Sequence, residues 1–275
     1  MNKLISVIMP TWEPDTDQFR LAIDSIMEQK YSDLELLIIY KKSQNQIDNT
    51  IEHIIDENKD DHRLKFHISD EGYVQRLNEG IKMSKGKFIG RMDADDISTK
   101  DRFFEQMNYL REKNISILGS WVYSISSDGK LIGTIEPPVE HEEIRKKIMY
   151  HSPLSHSSIL MQKNILNKIG LYDEKFIGAE DYELYLRAIF NGYRIENIPK
   201  YLIYIREHDT SYMRGGKWKS SRSAYFRAKS KAVTKYRFRN FSDIIFWSLT
   251  PITFLINPKM AYFMKKNVGW YKNNK

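Results

Sequence analysis

Two strand-length apolar runs near the start of this chain restrict its fold more than any other feature. Lys3 to Met9 (KLISVIM) and Leu34 to Tyr40 (LELLIIY) are almost continuous in apolar and β-branched residues. A strand with one face in water alternates apolar with polar residues, whereas runs like these suit strands covered on both faces. Between them, Phe19, Leu21, Ala22, Ile23, Ile26 and Met27 recur at helical spacing. The pattern then repeats. Ile47 to Glu57 is helix-like, Leu64 to Ile68 reads as a third strand, Gln75 to Met83 as a helix, and Lys87 to Met92, opened by Gly86, as a fourth strand. Strands alternating with helices predict an α/β chain with a mostly parallel central sheet and helices on both faces.

The fourth strand ends in three carboxylates, Asp93, Asp95 and Asp96. Sheets of this kind bind ligands outside the carboxyl ends of their strands. Those ends are Pro10, Thr11, Trp12 and Glu13, then Tyr40 to Lys42, Ser69 to Gly72 with Asp70, and Asp93 to Asp96 with Ala94. Strand alternation puts Asp93 and Asp95 on one side and Asp96 on the other. Carboxylates sharing a side repel unless a cation lies between them, and oxygen ligands without adjacent Cys or His suit Mg2+ or Mn2+ better than Zn2+. The competing reading is a helix cap, with Asp96, Ser98 or Thr99 at the start of a helix over Lys100 to Lys113.

Beyond the acids, Ile115 to Tyr123 reads as a strand, Ser126 to Lys130 as a hairpin turn and Glu142 to Tyr150 as a short helix after Pro137 and Pro138. Ser157 to Met161 and Tyr201 to Ile205 are further strands. Phe176 to Asn191 is a helix with Glu180 and Asp181 at its start. The chain has no cysteine, which excludes a disulfide framework, a thiolate-bound zinc and a thiol nucleophile. Met1 to Pro10 lacks the plan of a signal peptide, and no apolar run is long enough for a spanning helix.

Charge divides the chain. Residues 210–275 hold 15 Lys and Arg against a single acid, Asp243, a net of +14, while the remainder carries −7. Any anionic partner is therefore expected at the C-terminal segment. Basic residues there interleave with Trp218, Tyr225, Phe226, Tyr236 and Phe238, and the apolar run Phe241 to Ile256 follows. That combination predicts an interfacial segment on an anionic membrane surface. Nucleic-acid binding is the rival, since basic and aromatic residues also make stacking grooves, but the apolar run favours a membrane or a hydrophobic contact between copies of the chain, and no nucleic acid is expected.

Several blocks together resemble family 2 glycosyltransferases: Ser6 to Thr11 (SVIMPT), Arg91 to Ser98 (RMDADDIS) followed by Arg102 and Phe103, His156 with Ser157, Glu180 to Arg187 (EDYELYLR), and Arg206 with His208. The resemblance implies a GT-A fold, a nucleoside-diphosphate sugar donor (a UDP-sugar), a divalent cation (Mn2+ or Mg2+), and transfer with inversion to a glycan or lipid-linked acceptor. It divides the chain into a nucleotide-sugar-binding half, 1–97, an acceptor-binding half, 98–213, and the basic extension, 214–275. It makes Asp95 the metal ligand, joined by Asp93 and His208, and Asp181 the general base with Glu180 second. Pro10, Thr11, Trp12, Glu13, Tyr40, Asp70, Arg76, Asp93 and Ala94 become donor contacts.

Two departures touch the donor. Where many members carry paired acids after the second strand, this chain has Tyr40 to Asn45 (YKKSQN), and Glu13 replaces an Asn. The implied setting is cell-surface polysaccharide synthesis on the cytoplasmic membrane face. A sugar-nucleotide pyrophosphorylase would need a Gly-rich, basic loop after the first strand, and Thr11 to Asp17 has neither Gly nor a basic residue. A non-catalytic binding module would have no use for Glu180 and Asp181.

Overall fold

The structure is a computed structural model that describes residues 3–41, 48–207, 217–236, 240–251 and 270–273. Its first half is the expected alternation: β1 (Ile5–Trp12), α1 (Thr16–Met27), β2 (Leu34–Lys41), α2 (Asp48–Glu57), β3 (Leu64–Ile68), α3 (Tyr73–Met83) and β4 (Phe88–Arg91). β1 pairs in parallel with β2 and β4, and β2 with β3. Ile5, Val7, Ile8 and Met9 are at most 1% exposed because both faces are covered. Val7, Met9, Leu36 and Ile38 pack with Phe19, Ile23 and Ile26 of α1, while Ile8, Leu37 and Ile39 pack with Val74, Leu77 and Ile81 of α3. One acid lies inside this layer. Glu35 accepts from Ser6 Oγ at 2.6 Å and from the Lys85 amide at 2.7 Å, and pairs with Lys65, so its burial is satisfied.

The second half wraps round this core: β5 (Ile97–Ser98), α4 (Arg102–Glu112), β6 (Ile117–Ile125), β7 (Leu131–Ile135), α5 (His141–Lys147), β8 (Leu160–Gln162), α6 (Lys163–Ile169), α7 (Glu180–Phe190), β9 (Ile195–Arg206), α8 (Lys217–Thr234), α9 (Phe241–Leu249) and β10 (Tyr271–Asn273). Among the described residues the sheet runs β10-β7-β6-β8-β4-β1-β2-β3, with β9 on β6 and β5 on β9. α8 lies on α7 and buries Ala224, Ala228 and Ala232. Among the described residues no helix is long and apolar enough to cross a membrane.

Four local expectations change. β1 continues past Pro10 to Trp12, which is possible because β4 pairs only as far as Ile8, leaving no ladder bond for the missing proline N–H on that side. The acids do not continue β4. The chain leaves the strand after Arg91 and turns at Ala94 and Asp95, so strand alternation no longer applies and Asp96 joins Asp93 and Asp95 instead of opposing them. The capping alternative is not realised either, since α4 starts at Arg102, whose amide donates to the Thr99 carbonyl at 3.1 Å. The expected strand over Ser157 to Met161 begins instead as a single 3₁₀ turn, His156–Ser158, before β8.

Candidate active site

Arg91, the last residue of β4, is the centre of the site. It is 3% exposed. Its guanidinium is ion-paired to Asp93, donates to Tyr73 Oη and reaches Ser157 Oγ at 2.9 Å. Ser157 donates onward to Asp93 at 3.0 Å, so both oxygens of that carboxylate are engaged. Burial opposes the charge on Arg91, but Asp93 and Tyr73 outweigh it and keep the guanidinium ionised. The Arg91 carbonyl accepts from Arg102 at 2.9 Å, and Arg102 also reaches the Ile159 carbonyl at 3.3 Å. Arg102 is fully buried, and that burial lowers its pKa to about 9. The start of the acid turn is thus fixed from below by one arginine and from the side by another.

The far side of the turn rests on β9. Asp96 is 2% exposed; its Oδ1 accepts from the Arg206 amide at 2.9 Å, while its Oδ2 is buried with no partner among the described residues. Burial, and then the charges of Asp93 and Asp95, push the Asp96 carboxyl up to about 8. Arg206 Nε donates to the Asp95 carbonyl at 2.9 Å and Nη1 to the Ser127 carbonyl at 3.0 Å, tying the acid turn to the turn between β6 and β7. Oxygens of Asp93, Asp95 and Asp96 lie within 4.8 Å of one another. An all-oxygen set with one buried, orphaned carboxylate oxygen fits a hard divalent cation. His208 and Lys42 lie outside the described residues.

The second pair of acids comes from α7. Gly178, at φ +85°, separates the preceding 3₁₀ turn (Glu174–Phe176) from the helix, so that Glu180 and Asp181 occupy the first helical turn. Their charge is favoured there by the helix dipole and opposed by the surrounding protein. Glu180, 7% exposed, accepts from the Gly178 amide at 2.5 Å; burial raises its pKa, with Arg91 lowering and Asp93 raising it in turn. The Asp181 carboxyl is pushed up to about 7, first by burial and then by the charge of Glu180. Arg91 therefore acts on both α7 acids and Asp93 on Glu180, so two acid groups far apart in sequence lie within reach of each other's charge. His156 completes the floor, its Nε2 2.9 Å from Tyr172 Oη, and burial followed by the charge of Arg91 keeps its ring neutral.

The remaining expected residues line the ends of β1 to β3. Trp12 is 53% exposed, and Glu13 takes the left-handed conformation at φ +45° as the chain leaves β1. Thr11 is buried and its carbonyl accepts from Arg76 at 2.5 Å. Arg76 is 5% exposed and its Nε has no partner among the described residues. Tyr40 is buried in the core with Ile51 and Ile54 of α2, so the exposed aromatic surface on this edge belongs to Trp12. Asp70 is exposed, and its carbonyl accepts from Lys41 at 2.9 Å.

The family model for glycosyl transferase family 2 matches residues 6–176, a span that includes all of β1 but its first residue, the acid turn and His156. The chain belongs to this family. An uncharacterized glycosyltransferase of Methanocaldococcus jannaschii is 28% identical over 261 residues, covering 92% of this chain and 89% of that protein. The O-antigen biosynthesis glycosyltransferase WbnJ of Escherichia coli is 28% identical over 237 residues, covering 85% and 89%. Among solved structures, S. aureus TarS in complex with UDP-GlcNAc superposes with a TM-score of 0.65 at 18% identity, over 84% of this chain and 66% of that one. A mannosyltransferase from Pyrobaculum calidifontis in complex with GDP-Man and Mn2+ gives 0.61 at 14% identity, over 96% and 79%. The chain is a family 2 glycosyltransferase with the GT-A fold.

Two residues of this glycosyltransferase site carry almost no sequence signal. Tyr73 and Tyr172 meet Arg91 and His156 through hydroxyl contacts that only the folded chain creates. Tyr172 stands in the segment Gly170 to Lys175 just ahead of the Glu-Asp helix, and that position is the one hint available.

Proposed function

We propose that this glycosyltransferase transfers sugar from a UDP-sugar, with inversion and with the help of a divalent cation, to a glycan or lipid-linked acceptor in cell-surface polysaccharide synthesis. The observation that carries the reading is the meeting of the acid turn and the head of α7 around Arg91. Asp181 is the general base. A carboxyl at about 7 is balanced between holding and releasing a proton at neutral pH, which suits removal of the acceptor hydroxyl's proton as that hydroxyl attacks. Glu180, fixed to the Gly178 amide, orients the acceptor. A single displacement needs no enzyme nucleophile, in keeping with a chain that lacks cysteine.

Asp95, with Asp93 and Asp96 beside it, holds the cation, Mn2+ or Mg2+. When bound it would offset, as a Lewis acid, the charge that grows on the departing pyrophosphate. The buried orphan oxygen of Asp96 supports this, as does the Mn2+ named in the complex of the Pyrobaculum calidifontis enzyme. Pro10 to Glu13, Asp70, Arg76, Asp93 and Ala94 form the donor side, with Trp12 as the exposed aromatic. The UDP-Gal-dependent galactosyltransferase of Escherichia coli, 26% identical over 219 residues, acts on a diphosphoundecaprenol-linked sugar by its name, which supports both the UDP donor and a lipid-linked acceptor. The chain works at the cytoplasmic membrane face through residues 214–275, whose basic charge and exposed Ile244 and Leu249 suit an anionic boundary.

A panel of nucleotide sugars, scored for nucleoside diphosphate release with and without lipid-linked acceptor, tests the reading. Acceptor-dependent UDP release is expected. Release from guanosine sugars alone would overturn the donor, and no release from any sugar would overturn the activity. Co-sedimentation with anionic vesicles tests the membrane role, and protein that stays in the supernatant rejects it.

A further inference from the structure

The segment that presents Asp181 is held from behind by the basic helix α8. Glu183, one turn beyond Glu180, is fully buried. It accepts from Lys231 Nζ at 2.7 Å and from Tyr236 Oη at 3.1 Å, and on its own helix from Arg187 Nη2 at 2.8 Å. The same cations reach the loop that enters α7. Arg187 donates to the carbonyls of Gly170 at 3.0 Å and Leu171 at 2.8 Å. Lys231 lies 3.5 Å from Asp173 and 4.9 Å from the centre of the Phe176 ring. Arg227, one turn before Lys231, donates to the Lys175 carbonyl at 2.8 Å.

The loop is anchored at its other end as well. Asn78 of α3 bonds both the amide and the carbonyl of Tyr172, at 3.1 and 2.9 Å, and Tyr172 Oη reaches His156. Gly178 closes on α8 so tightly that a side-chain carbon there would fall 2.4 Å from Ser221 Oγ. Simple adhesion of α8 to α7 is already supplied by Ala224, Ala228 and Ala232. Arg227 on the Lys175 carbonyl and Lys231 on Asp173 do something different: they fix where that loop stops and where the helix after it begins.

We propose that Lys231 and Arg227 are positioning residues for the transfer reaction, holding residues 170–176 and Glu183 so that Glu180 and Asp181 stand in register with Arg91 and the acid turn. The proposal rests on the reading of Asp181 as the base. It makes this part of the basic segment a component of the active site.

The experiment measures kcat, KM for donor and nucleoside diphosphate affinity for Lys231→Ala, Lys231→Arg, Arg227→Ala and Asp181→Asn in the full chain. Lys231→Ala leaves Glu183 with Arg187 and Tyr236, so the chain is expected to stay folded. Its kcat is expected to fall by about ten- to a hundredfold, the size of effect expected of a small misplacement of a reacting group, with donor KM and nucleotide affinity close to wild type. Lys231→Arg should recover most of the loss. Arg227, exposed and bonded to a single loop carbonyl, supplies the same test should Lys231→Ala not fold. Unchanged kcat in Lys231→Ala and Arg227→Ala, with Asp181→Asn inactive, would overturn the positioning role alone. Parallel loss of kcat, donor affinity and melting temperature would reduce it to general stability and also overturn it. An active Asp181→Asn would show instead that the base assignment had failed.

Discussion

Arg91 and Asp93 close an ion pair across the point where β4 leaves the sheet, and Ser157 sits against both partners, 2.9 Å from the guanidinium and 3.0 Å from the carboxylate. The pair converts a strand end into a fixed turn. Without the arginine, Asp93 would be left beside Asp95 and Asp96 with only a serine hydroxyl to face.

Arg91→Met should therefore destabilise the chain by about 3 kcal/mol, the low end for breaking a buried pair, because the Asp93 side chain remains 36% exposed. Arg91→Lys should recover part of this, since an ammonium keeps the charge but cannot span Tyr73, Ser157 and Asp93 together. Urea unfolding of the three proteins checks both; equal midpoints would mean that the pair contributes nothing.

Asp181→Asn should lower transfer by about 10²- to 10⁴-fold while nucleoside diphosphate binding survives. In the wild type, kcat should rise with pH through about 7 as the carboxylate forms. Stability moves the other way. A folded pKa raised from 3.8 to about 7 gives the native state a proton-linked advantage that is complete below pH 3.8 and lost as pH passes 7. The Asn variant should thus gain on the wild type in melting temperature between pH 5 and pH 8, and parallel curves would contradict the shifted carboxyl.

Mn2+ should raise the melting temperature of the wild type in proportion to the logarithm of its concentration once the site is saturated. Asp95→Ala and Asp96→Asn should both blunt that rise, and chelator should stop transfer. Full activity in chelator would remove the cation from the reaction.

Ending the chain before Lys217 should cost stability as well as activity. The cut removes the alanine face that covers α7 and leaves Glu183 without Lys231 and Tyr236. Broad, non-cooperative unfolding is expected, and a sharp transition at the wild-type temperature would count against it.

The first half of the fold is legible in sequence because parallel strands covered on both faces must be apolar throughout, as KLISVIM and LELLIIY are. β9 is not. It runs for 12 residues from Ile195 to Arg206, yet only Tyr201 to Ile205 look like a strand. Glu196 and Asn197 break the pattern, but Glu196 is held by Arg194 and Lys113, and Asn197 donates to the carbonyls of Pro138 and Pro153. Apart from Arg194, the partners that permit their burial come from distant segments, which no local period encodes. The C-terminal segment misleads differently: its charge dominates the sequence, whereas the uncharged Ala224, Ala228 and Ala232 seat α8 on α7. The acid residues themselves are legible, but their convergence is not, because the turn at Ala94 and Asp95 cancels the alternation that a strand would impose.

The partners of that turn lie far away along the chain. Ser157 is 64 residues from Asp93, and the Arg206 amide and guanidinium are 110 and 111 residues from the Asp96 and Asp95 atoms they bond. Contacts of such span form late, after the loops between them have closed. A refolding chain should therefore regain helical signal first and its affinity for the proposed cation last. In the interval it would carry three unscreened neighbouring carboxylates, so that cation added during refolding acts on the final step of assembly and hardly on the earlier ones.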